Sequence, residues 1–116
     1  MDTATARKRL EEIRGELERS IAVLKGEQDS GERVSDYPQD PADAGANLSE
    51  SERTQAVLHV ARAQHAEVLD ALHRIETGTY GICVDCGGEV PEGRLEARPE
   101  ASRCVSCQAK WARSRR

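Results

Sequence analysis

Four cysteines constrain this chain more than any other feature. They fall as Cys83-x2-Cys86, then a 17-residue loop, then Cys104-x2-Cys107. Two residues between thiolates let both sulfurs of a tight knuckle reach one tetrahedral ion, and 17 residues suffice to bring the second pair back onto the first. Gly81 precedes the first pair, and Gly87 and Gly88 follow it, where a knuckle must bend sharply. The spacing predicts one structural Zn2+ held by Cys83, Cys86, Cys104 and Cys107. Four cysteines close the shell, whereas a catalytic zinc keeps an open position. The alternative, two redox CxxC pairs, requires a βαβ pattern, and neither pair has one around it. A metal staple also answers a need set by composition. The chain has 116 residues, no Phe, 3% aromatic residues and 33% charged ones. Little apolar material is available for a core, so a staple or an extended helical pairing must supply stability.

The rest of the chain carries helical grammar. From about Thr3 to Gln28, Leu10, Ile13, Leu17, Ile21 and Leu24 recur at three-four spacing along one face. A second stripe, Leu58, Ala61, His65, Val68, Leu72 and Ile75, follows a heptad seam, with Val57 and Leu69 widening it. His65 is expected in the seam with its polar edge at the surface. Gly78 ends this helix. Between the stripes, residues 26–50 are rich in Gly, Pro, Asp and Ser. The first helix is expected to fray past Lys25, and the second to begin between Asp43 and Ser49, with Ser49 and Glu52 as a capping box. Two amphipathic helices joined this way pack antiparallel. The expected fold is therefore mainly α. Residues 1–77 form an antiparallel two-helix coiled-coil arm roughly 40 Å long, with its tip at about 27–48. Residues 78–116 form a zinc finger with a short basic C-terminal helix.

At the tip, Asp40 and Asp43 lie in DPADAGAN. Asp40 fits a helix N-cap with Pro41 at the first helical position. The pair also fits two exposed acids presented to a metal ion or a basic site. In the tail, QAKWARSRR, Trp111 is expected to pack on the zinc module, the other reading being a stack on a nucleic-acid base. The net charge is −4, yet every charged residue from Arg103 onward is basic. No nucleophile, base and orienting group converge, so no enzyme is expected and no catalytic residue is named. Without an apolar leader or a run of about 18 apolar residues, the chain reads as cytoplasmic and without a membrane partner.

The stretch GTYGICVDCGGEVPEGRLEARPEASRCVSCQ, residues 78–108, resembles the DksA/TraR family of bacterial transcription regulators, above all in GTYG and RLEARP. The tip resembles that family's D-x-x-D-x-A motif, with Asp40 and Asp43 in the acidic places and Gly45 where the family has Ala. The resemblance implies a zinc-finger regulator that binds RNA polymerase directly. The coiled-coil arm would enter the secondary channel with Asp40 and Asp43 near the active site. The zinc module and C-terminal helix would rest on the channel rim, where Arg98, Lys110 and Arg113 offer rim or anion contacts. No sequence-specific DNA contact is implied. Family members often act with the alarmone ppGpp through basic residues around the zinc module. Arg98 matches one, but Glu67 and Gln108 stand where lysines are used, so ppGpp binding is doubtful for this chain.

Two other functions compete. The cysteine spacing also occurs in DNA-binding GATA-like fingers, which likewise carry a basic tail. Here the loop between the pairs mixes Glu89, Glu92, Glu96 and Glu100 with Arg94 and Arg98, and a phosphate-gripping finger should be more basic. The last alternative is a passive protein-interaction module.

Overall fold

The computed structural model describes residues 2–34 and 41–114, with side chains at 2–26 and 49–114. Four helices follow in order: α1 (Thr3–Val34), α2 (Pro41–Thr77), α3 (Glu92–Ala97) and α4 (Val105–Ser114). Among the described residues there is no strand, only an isolated antiparallel bridge between Ile82 and Glu89. The mainly α architecture is the one expected.

Asp2 starts α1. Its carboxylate accepts the Thr5 N–H at 2.8 Å and the Thr5 hydroxyl at 2.9 Å, which satisfies a donor left over at a helix start. That N–H holds the Asp2 carboxyl below its ordinary range. Both long helices exceed their expected bounds. α1 ends at Val34, past Lys25 as expected but beyond the stretch to about Gln28 that the apolar stripe marks. No proline interrupts it before Pro38, and a single glycine costs a helix only about 1 kcal/mol. α2 begins at Pro41, the first helical position that the Asp40–Pro41 reading gives, and upstream of the Asp43–Ser49 window. Proline suits a first turn, where its missing N–H has no partner to lose. Ser49 therefore sits inside the helix and cannot cap it. Asp40 lies outside the described residues, as do the side chains of Asp43 and Gly45. α2 stops at Gly78, whose φ of 79° takes the chain into the left-handed region. The Thr79 N–H reaches the Arg74 carbonyl at 2.9 Å and the Gly78 N–H reaches that of Ile75 at 3.3 Å, a Schellman ending.

Six residues separate α1 from α2, too few for anything but an antiparallel return. The chain divides into two compact units. In the unit Gly15–His65, Leu58 is buried, Leu17, Ile21, Leu24 and Ala61 are half-buried, and His65 Nε2 lies 3.2 Å from Glu18 Oε1 on the facing helix. His65 is thus a seam residue with a polar outer edge, as read from the sequence. Val57 does not widen the seam: it is 50% exposed, beside Val60 at 64% and Val23 at 62%. In the other unit, Met1–Arg14 with Ala66–Arg116, the helical pair buries Ala6, Leu10, Val68, Ala71 and Ile75. Leu69 is 41% exposed there. Ala71 takes the buried position beside Val68 because small residues let paired helices approach closely.

Candidate metal centre

α2 delivers the chain to the zinc module through Gly78, Thr79 and Tyr80. Gly81 has a φ of 85°, and a side chain there would meet Leu95 Cδ1 at 3.7 Å. The first cysteine pair then forms a knuckle closed by three backbone bonds. Cys83 N–H donates to the Gly88 carbonyl at 2.7 Å, Gly87 N–H to that of Cys83 at 3.0 Å, and Val90 N–H to that of Gly81 at 2.8 Å. Gly87 has a φ of 75°, which glycine adopts without steric cost. The second pair sits where α4 begins, with Cys104 just before it and Cys107 in its first turn. The Val84 N–H donates to the Ser102 carbonyl at 2.9 Å, which joins the two knuckles directly.

This folding brings the four Sγ atoms within 4.8 Å of one another. Cys86 Sγ and Cys104 Sγ are 4.0 Å apart, close to the ~3.8 Å edge of a tetrahedron with Zn–S bonds of about 2.3 Å. All four cysteines are free. Backbone amides, first that of Cys86 and then that of Cys104, hold the Cys83 thiol down to about 6. Cys107 moves the other way, to about 12, chiefly through the side chain of Cys104. Amides converging on a sulfur favour the thiolate, the form that binds metal. Four thiols crowded together resist ionising together unless a cation joins them. The donor set therefore fits one structural Zn2+, which would make four bonds to sulfur and lock the two knuckles together.

Around the sulfurs the core is small. Cys83, Val90, Leu95 and Cys107 are buried, with Tyr80, Ala101 and Cys104 packed against them. Two of the four buried residues are thus ligands themselves. The Tyr80 hydroxyl donates to the buried Pro99 carbonyl at 2.8 Å, and burial raises the phenol's pKa above its ordinary value. Arg9, on α1, donates to the backbone oxygen of Glu96. Glu100 is only 4% exposed and accepts from Arg98 Nε at 3.1 Å. Arg98 also lies 3.9 Å from the Glu67 carboxylate. Burial raises the Glu67 pKa and Arg98 opposes that shift.

Among the residues named for rim contacts, Arg98, Lys110 and Arg113 are all exposed. Arg98 pairs with the carboxylates of Glu67 and Glu100, and Lys110 and Arg113 lie on α4. Trp111 is half-buried on the module, with the Arg103 guanidinium 4.9 Å from its ring centroid. Sequence reasoning placed Trp111 on the module but missed Arg103 as the contact. It missed Asp85 too, which accepts from Arg103 Nε at 2.7 Å. Neither hydrophobic periodicity nor ligand spacing carries information about such a pair, 18 residues apart.

Comparison with known proteins agrees with this geometry. Residues 78–110 match the model of the prokaryotic dksA/traR C4-type zinc finger. An uncharacterized protein of Aquifex aeolicus (strain VF5) is 40% identical over 100 residues, which cover 86% of this chain and 68% of that protein. The RNA polymerase-binding transcription factor DksA of Caulobacter vibrioides is 28% identical over 106 residues, covering 91% of this chain and 70% of the relative. The chain thus spans about two thirds of the length of each. The structure of transcription factor DksA2 from Pseudomonas aeruginosa superposes with a TM-score of 0.79 at 27% identity. It covers 98% of this chain and 86% of that one.

Proposed function

Because this chain belongs to the DksA/TraR family of C4-type zinc-finger proteins, we propose that it regulates transcription by binding RNA polymerase directly. The arm of α1 and α2 enters the secondary channel, and Asp40 and Asp43 reach the neighbourhood of the active site. The zinc module stays at the rim, where Lys110 and Arg113 on α4 meet an acidic surface. The observation that carries the reading is likeness to a DksA structure over nearly the whole chain, arm and zinc module together. A protein that works inside polymerase works in the cytoplasm, and no described helix is long and apolar enough to cross a membrane. Zinc serves here as structure. The protein contributes no catalytic group and acts by charge placed beside another enzyme's reaction.

Co-purification with core RNA polymerase at physiological ionic strength tests the reading. The protein is expected to be retained, and the Asp40→Asn, Asp43→Asn double variant to be retained equally while losing its effect on promoter-complex lifetime. Failure to co-purify, together with a salt-sensitive shift of short duplex DNA, would transfer the function to the GATA-like alternative.

A polyphosphate ligand is disfavoured at the rim. Arg98 is already engaged by Glu100 and by Glu67, and a tetraphosphorylated nucleotide approaching it would face both carboxylates. Calorimetric titration with ppGpp should give no saturable heat below about 100 µM, a free energy weaker than about −5.5 kcal/mol. A dissociation constant in the low micromolar range would show that the carboxylates move aside.

A further inference from the structure

Arg103 touches every part of the zinc module that the ligands themselves must bring together. It immediately precedes the third ligand, Cys104. Its Nε donates to Asp85 Oδ2 at 2.7 Å, and Asp85 stands between the first two ligands, Cys83 and Cys86. Its guanidinium lies over the ring of Trp111, 4.9 Å from the centroid, on α4 four residues beyond the last ligand. Its carbonyl accepts from Arg94 Nε at 2.9 Å, and Arg94 belongs to α3 in the loop between the pairs. One residue thus links the first knuckle, the inter-pair loop, the second knuckle and the closing helix.

The contacts are of a kind that holds. The side chain of Arg103 is 22% exposed and that of Asp85 42%, so the ion pair is partly withdrawn from solvent and less screened than an open surface pair. A flat guanidinium can stack on indole and still donate from its edge, which an ammonium cannot do as well. For the metal to leave, one knuckle must swing away from the other. The Asp85–Arg103 bond spans the gap that such a swing would open. Four thiolates on one divalent ion also carry a net charge of about −2, which a fixed cation in the module offsets.

We infer that Arg103 is a clamp on the metal centre: a positioning residue, not a ligand, that joins the two cysteine pairs through Asp85 and Trp111 and sets how slowly zinc is released. Groups outside the ligand set of a metal site commonly change metal affinity about 10–100-fold when removed.

The test uses the full zinc-loaded chain and follows transfer of Zn2+ to an excess of chromogenic chelator. It needs no polymerase, so its outcome is independent of the function proposed above. Arg103→Met should release zinc about tenfold faster. Asp85→Asn should accelerate release several-fold, and the double variant should be no faster than Arg103→Met alone, because the two side chains act through one contact. Arg103→Lys should fall between Met and the parent. Trp111 emission of the loaded protein should change in Arg103→Met with the helical circular-dichroism signal intact. Release rates of Arg103→Met and Asp85→Asn both within twofold of the parent would overturn the clamp, as would accelerations that simply multiply in the double variant. If Arg103→Met fails to load zinc, the Asp85→Asn rate alone decides, since that substitution leaves the ligands and the Trp111 stack in place.

Discussion

Stripping zinc from the protein is expected to unfold residues 78–114 while leaving the paired helices largely helical. The apolar cluster of the module has only Val90 and Leu95 as buried members that are not ligands, far too little to fold on its own. Structural zinc contributes about 10–16 kcal/mol in comparable peptides at neutral pH, more than the entire stability of most small domains. The helical pair does not share that dependence. Its buried side chains, Ala6, Leu10, Val68, Ala71 and Ile75, are all different from those of the zinc cluster. A chelator titration followed by circular dichroism should therefore abolish the near-ultraviolet signal of Trp111 and reduce the far-ultraviolet helical signal only by the share of α3 and α4. Acid should act in the same direction, because protons compete with the metal for thiolates: retention is complete near neutrality and fails as pH falls. A Trp111 signal indifferent to chelator would mean that the module is held by something other than metal.

Leu10→Ala should be the most damaging single substitution in the helical pair. Leu10 is fully buried, and truncating a buried leucine removes its transfer energy and leaves a cavity, together about 2–5 kcal/mol. The pair has few large side chains with which to refill that space, so the upper part of this range applies. Val23→Ala makes the control. Its parent side chain is 62% exposed, and the change should stay within about 0.5 kcal/mol. Urea unfolding of the zinc-loaded proteins, monitored at 222 nm, gives both values. A loss below about 1 kcal/mol for Leu10→Ala would mean that Leu10 is not a core residue.

The parts of the fold that obey a period or a fixed ligand spacing were legible in the sequence. The cysteine spacing named the four residues whose sulfurs converge, and the seams named Leu10, Leu58, Val68 and Ile75. Periodicity resolves a face but not its edges. Val57 and Leu69 therefore looked like seam residues although they point outward, and Ala71 was overlooked because a small side chain adds little to an apolar stripe. Helix ends were legible only in part: Pro41 reads as a first helical position, and α2 begins there, but the Ser49 capping box and the length of α1 were not legible. Gly, Asp and Ser suggest a loop, but stop signals compete with propagation of a helix already formed, and only proline blocks it outright. Charged contacts between distant segments had no sequence signature. Asp85 with Arg103, Arg98 with Glu67, and Arg9 with Glu96 become visible only when the chain is folded.

The last of those contacts orders events in time. Arg9 and the carbonyl it binds are 87 residues apart. A ribosome adding about 5–20 residues per second takes roughly 4–17 s to supply the second partner after the first. For most of that interval α2, which ends at Thr77, is still incomplete, and α1 waits as a nascent amphipathic segment with its apolar stripe unpaired. Synthesis therefore finishes the zinc knuckles and the docking site for the chain's own beginning almost together, and the amino-terminal turn is among the last pieces to find its place.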